Sequence, residues 1–174
     1  MKLDVGATLV VEKATPEGRG KVMGELASRY AKADRVARLG ILRILANWPV
    51  PESTRFLGGI LENDWDWREA AAGCLGTQAT EEATDLLATY VFGSGRDPSE
   101  RVLRPLARSR AGRQQLWRNL DVTSPTVRCW ILDALVGYDI PEDGLSRQAV
   151  ERLLKDPAPE VREAAERAQE RLRK

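Results

Sequence analysis

The sequence contains no histidine, and this absence removes several classes of catalytic and metal site. Ser-His and Cys-His nucleophiles and His-ligated metal sites are excluded, because each of them needs an imidazole as base or ligand. Only two cysteines are present, Cys74 and Cys129, which is too few for a zinc site built from cysteine alone. We therefore expect no resident metal ion and no cofactor. The missing catalytic residue types favour a protein that is not an enzyme.

The chain also lacks the loops that hold phosphates or a catalytic serine, since no GxGxxG, GxxxxGK[ST] or GxSxG pattern occurs. Its apolar runs are shorter than the roughly 20 residues of a membrane-spanning helix. The amino terminus contains Asp4 and Glu12 and does not resemble a secretory signal. The two cysteines lie in apolar stretches rather than in a spaced framework, which suits a reducing compartment. We expect a cytoplasmic protein with no membrane partner, and its Arg-, Ala- and Gly-rich composition is typical of a bacterial GC-rich genome.

One short pattern recurs along this chain of 174 residues. It consists of an acidic turn, a large apolar residue followed by Arg, and alanines at helical spacing. The pattern is clearest in DPAPEVREAAERAQERL, residues 156–172, and in ENDWDWREAAAGCL, residues 62–75. Aligned copies place the apolar residue at Val36, Trp67, Val102, Val127 and Val161. These positions are separated by roughly 25 to 35 residues, which is typical of arrays of helical hairpins.

Each copy predicts two helices joined by a short turn. The first helices are expected at residues 16–32, 51–63, 81–92, 113–121 and 145–155. Their partners are expected at residues 35–47, 65–77, 99–110, 125–138 and 160–173. Pro or a capping side chain stands at most of these starts. The chain is thus expected to be a single domain of repeats at about 15–48, 51–78, 80–111, 112–139 and 144–174, with residues 1–14 open between a strand and a helix.

Glycine and proline stand inside several predicted helices. Glycine costs about 1 kcal/mol relative to alanine in such a position, and four of them occur, at Gly40, Gly58, Gly59 and Gly73. We expect close approach of neighbouring helices to offset this cost. Pro105 lies inside the second helix of the third repeat, where it costs ~3 kcal/mol unless the helix kinks or begins later. We therefore expect the third repeat to be irregular and to bend the stack or present a special surface.

These repeats resemble the HEAT-repeat consensus of an acidic turn, Pro, a Val-Arg pair and an Ala-rich second helix. The resemblance implies an all-α fold, namely a short right-handed α-solenoid of about five HEAT-like helical hairpins whose second helices line the concave side. It also implies a polar ladder between neighbouring repeats, formed by a turn Asp and a helix Arg. Here these are Asp64 with Arg68 and Asp156 with Arg162. The recurring pattern is therefore expected to build the stack rather than a catalytic site.

Charge is distributed in blocks, although the formal net charge is only +1. Residues 52–95 contain two Arg against eight Asp or Glu, and residues 96–118 contain seven Arg against two acids. Arginine favours planar, bidentate contact with carboxylates and phosphates. Two uses of the arginine block stay open at this point: pairing with the acidic neighbouring repeat, or binding of an anionic group on a partner.

Five tryptophans are a second unusual feature, at Trp48, Trp65, Trp67, Trp117 and Trp130. Trp67 occupies the apolar position of the repeat and is expected in the core, as are Trp117 and Trp130. Trp65 stands in a turn between two acids. Since tryptophan is enriched at interface hot spots, Trp65 is the best candidate for an exposed anchor.

The combined features predict a non-catalytic module that binds a protein partner, one with an acidic segment, on its concave face. The predicted contacts are Arg101, Arg104 and Arg108 for an anionic group of the partner. Trp65 and Asp66 are predicted as neighbouring contacts. Homodimerisation through the opposite charge blocks is an alternative use of the same surface.

Nucleic-acid binding is the alternative function. The architecture is similar to that of the HEAT-like alkylpurine DNA glycosylases, which hold damaged nucleotides with Trp, Asp and Arg and need neither metal nor histidine. The corresponding candidates in this chain are Arg128, Trp130 and Asp133, with the arginine block available for phosphates. A net charge of +1 is modest for a protein that binds duplex DNA.

Overall fold

A computed structural model describes residues 15–93, 98–136, 138 and 144–172. Over these residues the protein consists of α-helices and short 3-10 segments, without a strand. The helices are α1 Pro16–Lys32, α2 Arg35–Ala46, α3 Pro51–Asn63, α4 Arg68–Gln78, α5 Glu81–Gly93, α6 Glu100–Leu103, α7 Arg110–Arg118, α8 Pro125–Val136, α9 Gly144–Leu153 and α10 Pro159–Leu172. The 3-10 segments are Trp65–Trp67, Arg104–Arg108 and Leu120–Val122. The ambiguous stretch at residues 7–12 lies outside the described residues.

The helices alternate between two layers. In the first layer α1, α3, α5, α7 and α9 each pack against the next member, and α2, α4, α6, α8 and α10 do the same in the second layer. Each first-layer helix also packs against the second-layer helix that follows it in the chain. The predicted all-α stack of helical hairpins is therefore confirmed, while the repeat boundaries stay a prediction.

Local capping determines where several helices begin. Thr15 accepts a hydrogen bond from the backbone N–H of Gly18 at 3.2 Å, and Asp34 accepts one from Ala37 at 2.8 Å. Each bond satisfies a backbone donor that has no partner inside its helix. The helices predicted at 16–32 and 51–63 agree with the structure at both ends.

The core runs through both layers. Its largest fully buried side chains are Leu42, Leu45, Leu57, Leu61, Leu75, Leu87, Leu103, Leu106, Leu116, Leu120, Ile131 and Leu132. Fully burying such a side chain contributes about 1.5–3 kcal/mol, so the stability of each hairpin comes mainly from contact with its neighbours. Among the described helices, none is at once long enough and apolar enough to cross a membrane.

The third repeat is irregular at Pro105, as expected. α6 ends after a single turn, and the chain continues as the 3-10 segment Arg104–Arg108. The prediction of one helix over residues 99–110 is therefore wrong, because proline lacks a backbone donor and its ring clashes with the preceding turn. The next helix begins at Arg110, three residues before the predicted start at 113, because Ser109 accepts a hydrogen bond from the backbone of Gly112 at 2.9 Å.

The second layer is tightest where Gly76 of α4 faces Pro105. A Cβ atom on Gly76 would lie 2.5 Å from the Cβ of Pro105 and 2.8 Å from its carbonyl oxygen. Gly112 is similarly close, since a Cβ there would overlap the carbonyl oxygen of Leu106. These two glycines allow the irregular repeat to pack against both of its neighbours.

Four glycines inside helices were predicted to lie where neighbouring helices approach closely, and three of them do not. A Cβ atom on Gly40, Gly59 or Gly73 would meet no atom within 4 Å. Only Gly58 has a close neighbour, Leu86, whose Cδ1 would lie 3.2 Å from the added atom. The expectation was wrong for three of the four glycines, because a helix has one packed face and these three positions point away from it.

We predict that Gly76→Ala lowers the free energy of unfolding by about 1–3 kcal/mol, because the added methyl group overpacks the contact with Pro105. Gly73→Ala lies in the same helix and serves as the control, with an expected gain of up to ~1 kcal/mol from helix propensity. Urea unfolding followed by circular dichroism measures both. Equal stabilisation by the two substitutions would show that the α4–Pro105 contact is not close.

Candidate functional site

Arginines at the start of four second-layer helices donate to backbone carbonyl oxygens of the preceding turn or helix end. Arg38 donates to the carbonyl oxygen of Ala33 at 3.2 Å, and Arg68 donates to that of Leu61 at 2.9 Å. Two further arginines do the same, Arg128 to Thr123 at 2.6 Å and Arg162 to Asp156 at 2.8 Å. The recurring arginine therefore has a structural role in these repeats.

Two of these arginines also reach an acid of the following repeat. Arg38 lies 3.6 Å from the carboxylate of Asp64. Arg128 lies 3.2 Å from both carboxylate oxygens of Asp156. The polar ladder between repeats is present, but each aspartate pairs with the arginine of the preceding repeat. Asp64 and Asp156 were expected to form this ladder together with Arg68 and Arg162. That choice of arginines was wrong, because stacking places a helix start beside the next turn.

The first and third repeats differ from the alignment that the sequence suggested. Val36 is 78% exposed, whereas Val127 is fully buried, so Val36 does not occupy the buried apolar position with which it was aligned. Arg38 is the fourth residue of its helix, as Arg128 is of α8. In the third repeat the fourth residue is Leu103, which is buried and provides no arginine contact.

Tyr30 completes the first rung of the ladder. Its hydroxyl donates to Asp64 at 3.3 Å, and the guanidinium of Arg38 lies 4.9 Å from its ring centroid. Burial, reinforced by the carboxylate of Asp64, raises the pKa of Tyr30 to about 12. The charged groups of this rung are thus satisfied within the protein.

Neither cysteine offers an activated nucleophile. Cys74 and Cys129 are both free thiols and half-buried. Burial raises the pKa of Cys74 to about 11 and also raises the pKa of Cys129. Because the thiolate is the reactive form, both thiols are poor nucleophiles at neutral pH.

The predicted arginines follow one another along α6 and its 3-10 continuation in the second layer. Arg101 lies 3.1 Å from the carboxylate of Glu69 and is 80% exposed. Arg104 lies 2.6 Å from Glu100, one turn earlier in the chain. Exposed ion pairs of this kind contribute at most about 1 kcal/mol, so a partner can displace them at small cost.

Arg108 contacts α4 through neutral groups. It donates to the hydroxyl of Thr77 at 2.8 Å and to the carbonyl oxygen of Gly73 at 3.1 Å, and its side chain is exposed. Of the two uses considered for the arginine block, pairing with the acidic repeat occurs at Arg101, which contacts Glu69. Arg108 has no ion pair with any residue that the structure describes.

A cleft of about 1010 Å³ opens at one edge of the stack, where α3 and α5 end and α4 and α6 begin. Its walls also reach α8. The lining residues are Glu62, Trp65, Asp66, Arg68, Glu69, Thr89, Tyr90, Gly93, Pro98, Ser99, Val102 and Trp130. The cleft brings the predicted contacts Trp65 and Asp66 together with Trp130, and it adjoins the irregular third repeat.

Trp65 is held in place although it is 74% exposed. The guanidinium of Arg68 lies 4.4 Å from the ring centroid of Trp65 and 5.2 Å from that of Tyr90. Such a cation stacked on aromatic rings contributes about 0.5–1 kcal/mol at an exposed site. Because Arg68 is itself bonded to the end of α3, it restrains the indole ring on one face while most of Trp65 is open to solvent.

Three carboxylates surround these rings. Glu69 is engaged by Arg101 and accepts a hydrogen bond from Ser99 at 3.4 Å. Glu62 and Asp66 have neither an ion pair nor a side-chain hydrogen bond with any residue that the structure describes. The cleft thus combines aromatic walls with an acidic rim that is only partly neutralised.

Sequence reasoning missed Glu62 and Tyr90 as cleft residues. Both lie near the ends of first-layer helices, in α3 and α5. No pattern in the sequence distinguishes them from other helix-end residues, because they meet only when two repeats stack.

The candidates for nucleic-acid binding share α8 but do not form one site. Trp130 lines the cleft. Arg128 is instead paired with Asp156, and the side chains of Arg128 and Asp156 are only 14% and 8% exposed. Asp133 accepts a hydrogen bond from Arg167 at 2.9 Å. Both charged candidates are therefore engaged inside the protein.

We predict that Arg128→Gln lowers the free energy of unfolding by roughly 3 kcal/mol, because it leaves the largely buried carboxylate of Asp156 without a cationic partner, with the backbone N–H of Ala158 still donating to it. Arg167→Gln removes the exposed pair with Asp133 and is the control, with an expected loss below about 1 kcal/mol. Urea unfolding measures both. Similar small losses would mean that Arg128 is free for another role.

A family model described as a HEAT repeat associated with sister chromatid cohesion matches residues 140–165. The matched segment includes α9 and the first half of α10, which form a hairpin in the structure. No curated protein and no solved structure shows significant similarity to the chain. Residues 140–165 are thus similar to a HEAT repeat, and the two-layer stack of helical hairpins has the architecture that the sequence resemblance implied.

Proposed function

We propose that the protein is a non-catalytic interaction module that binds a segment of a protein partner along its second helix layer and the adjoining cleft. The observation that carries this proposal is Trp65, a mostly exposed tryptophan held by the Arg68 stack at a cleft of about 1010 Å³. Ordered aromatic side chains bind with little loss of conformational entropy, and tryptophan is enriched at hot spots.

The arginines of the third repeat extend this surface. Arg104 and Arg108 are exposed on the segment that follows Val102, a residue of the cleft wall. Planar guanidinium groups favour bidentate contact with carboxylates, so an acidic group on the partner suits them. The similarity of residues 140–165 to a HEAT repeat supports a scaffold type of protein in general terms, and the acidic partner is our proposal.

We predict that wild-type protein selects peptides from a random display library and that Arg104→Glu combined with Arg108→Glu weakens their binding at least tenfold, which is about 1.4 kcal/mol. The matched control is Lys21→Glu combined with Arg55→Glu, which makes the same charge change on exposed first-layer side chains. Fluorescence anisotropy of labelled peptides measures affinity, and circular dichroism measures melting. Unchanged affinity with a lower melting temperature would make these arginines internal braces.

The nucleic-acid alternative is favoured by one observation, the presence of Trp130 in the cleft wall. Because Arg128 and Asp133 are engaged in ion pairs, we predict that a short fluorescent duplex, with or without an abasic-site analogue, binds no better than it does to a neutral control protein. Titrations across a salt series test this. Micromolar affinity that falls steeply with salt and improves with the lesion would replace the protein-partner proposal.

A further inference from the structure

We infer that the cleft beside Trp65 receives an arginine or lysine side chain of the partner segment, an inference that rests on the proposed function. The partner is thereby assigned a basic residue for the cleft in addition to the acidic group proposed for Arg104 and Arg108. Two properties of the cleft, its unneutralised carboxylates and its open aromatic face, lead independently to this occupant.

The carboxylates define the sign of the charge that fits. Glu62 and Asp66 both line the cleft and have no cationic partner among the described residues. Of the three rim acids, only Glu69 has an ion pair within the part of the chain that the structure describes, and its partner is the exposed guanidinium of Arg101. The rim therefore already binds one guanidinium from the chain itself, and its two other carboxylates are placed to accept donors from a second cation.

The aromatic wall defines the shape of the group that fits. Arg68 covers one face of Trp65 at 4.4 Å, yet the residue remains 74% exposed, so its other face is open. A guanidinium or ammonium group gains electrostatic attraction over the face of an indole ring. The same stacking that the protein makes with its own Arg68 is thus available to a cation from outside.

The size of the cleft favours a protein segment over a small free cation. Its volume of about 1010 Å³ lies at the upper end of ligand sites, which hold roughly 300–1,000 Å³. From Val102 to Arg108 the backbone rises by about 10 Å at 1.5–2.0 Å per residue. An extended segment covers this distance with about three residues. The expected recognition motif therefore carries a basic residue for the cleft and an acidic residue for Arg104 and Arg108.

The inference predicts that peptides selected by wild-type protein carry Arg or Lys at a recurrent position. Replacing that residue by its neutral analogue, citrulline for arginine or norleucine for lysine, is expected to weaken binding about tenfold. With Glu62→Gln combined with Asp66→Asn, the same replacement is expected to weaken binding much less than tenfold, because only the Trp65 ring and Glu69 then attract the cation. Glu81→Gln combined with Asp85→Asn makes the same charge change on exposed residues of α5 and is the control. Fluorescence anisotropy measures each affinity, and melting temperatures confirm that the variants are folded.

The other outcomes each overturn the inference. Selected peptides without a recurrent basic residue, or basic peptides that bind the Glu62/Asp66 variant and the wild type equally, would contradict it while leaving the proposed function intact. Failure to select any peptide would remove both. Dimerisation of the protein in sedimentation experiments that is lost in the Glu62/Asp66 variant would assign the cleft to a second copy of the chain.

Discussion

A helical hairpin buries too little apolar surface to be stable alone, and the rest of this structure depends on neighbouring hairpins covering one another. The buried leucines come from both layers, and each first-layer and second-layer helix packs against its successor. Polar contacts then hold the register of the stack. Arg38 and Arg128 each link a turn, a helix start and the acid of the next repeat. Gln78 adds a buried network, donating to the carbonyl oxygen of Leu45 and to Ser53.

The third repeat shows how a break in this regularity generates a surface. Pro105 ends α6 after one turn, and the close contact with Gly76 keeps the broken segment packed on α4. At the edge of the stack beside this repeat, the cleft collects side chains from repeats that are distant in sequence. Its most exposed aromatic residue, Trp65, is contacted by the guanidinium of Arg68 and is not buried. Since α-solenoids are otherwise built from similar units, a local irregularity is a physically reasonable place for a specific contact.

Several expectations from the sequence were correct because they depended on local chemistry. Helix ends at proline and capping residues, the break at Pro105 and the exposure of Trp65 all follow from residues close together in the chain. Expectations that needed knowledge of the neighbouring repeat were less accurate. The aspartate of each rung pairs with the preceding repeat, and Gly40 and Gly73 face open space.

The sequence by itself determined the all-α hairpin architecture, because helical periodicity, caps and the recurring Val-Arg pattern are properties of short stretches. It also determined the exclusion of histidine chemistry, which depends on composition alone. Only the tertiary structure decided which charged side chains are engaged in ion pairs within the protein. Arg128 and Asp133 are engaged by residues 28 and 34 positions away, and Glu62 meets Trp65 and Tyr90 in one cleft only through stacking. The physical reason is that an ion pair or a cleft is a relation between surfaces, and the surfaces exist only after the hairpins have packed.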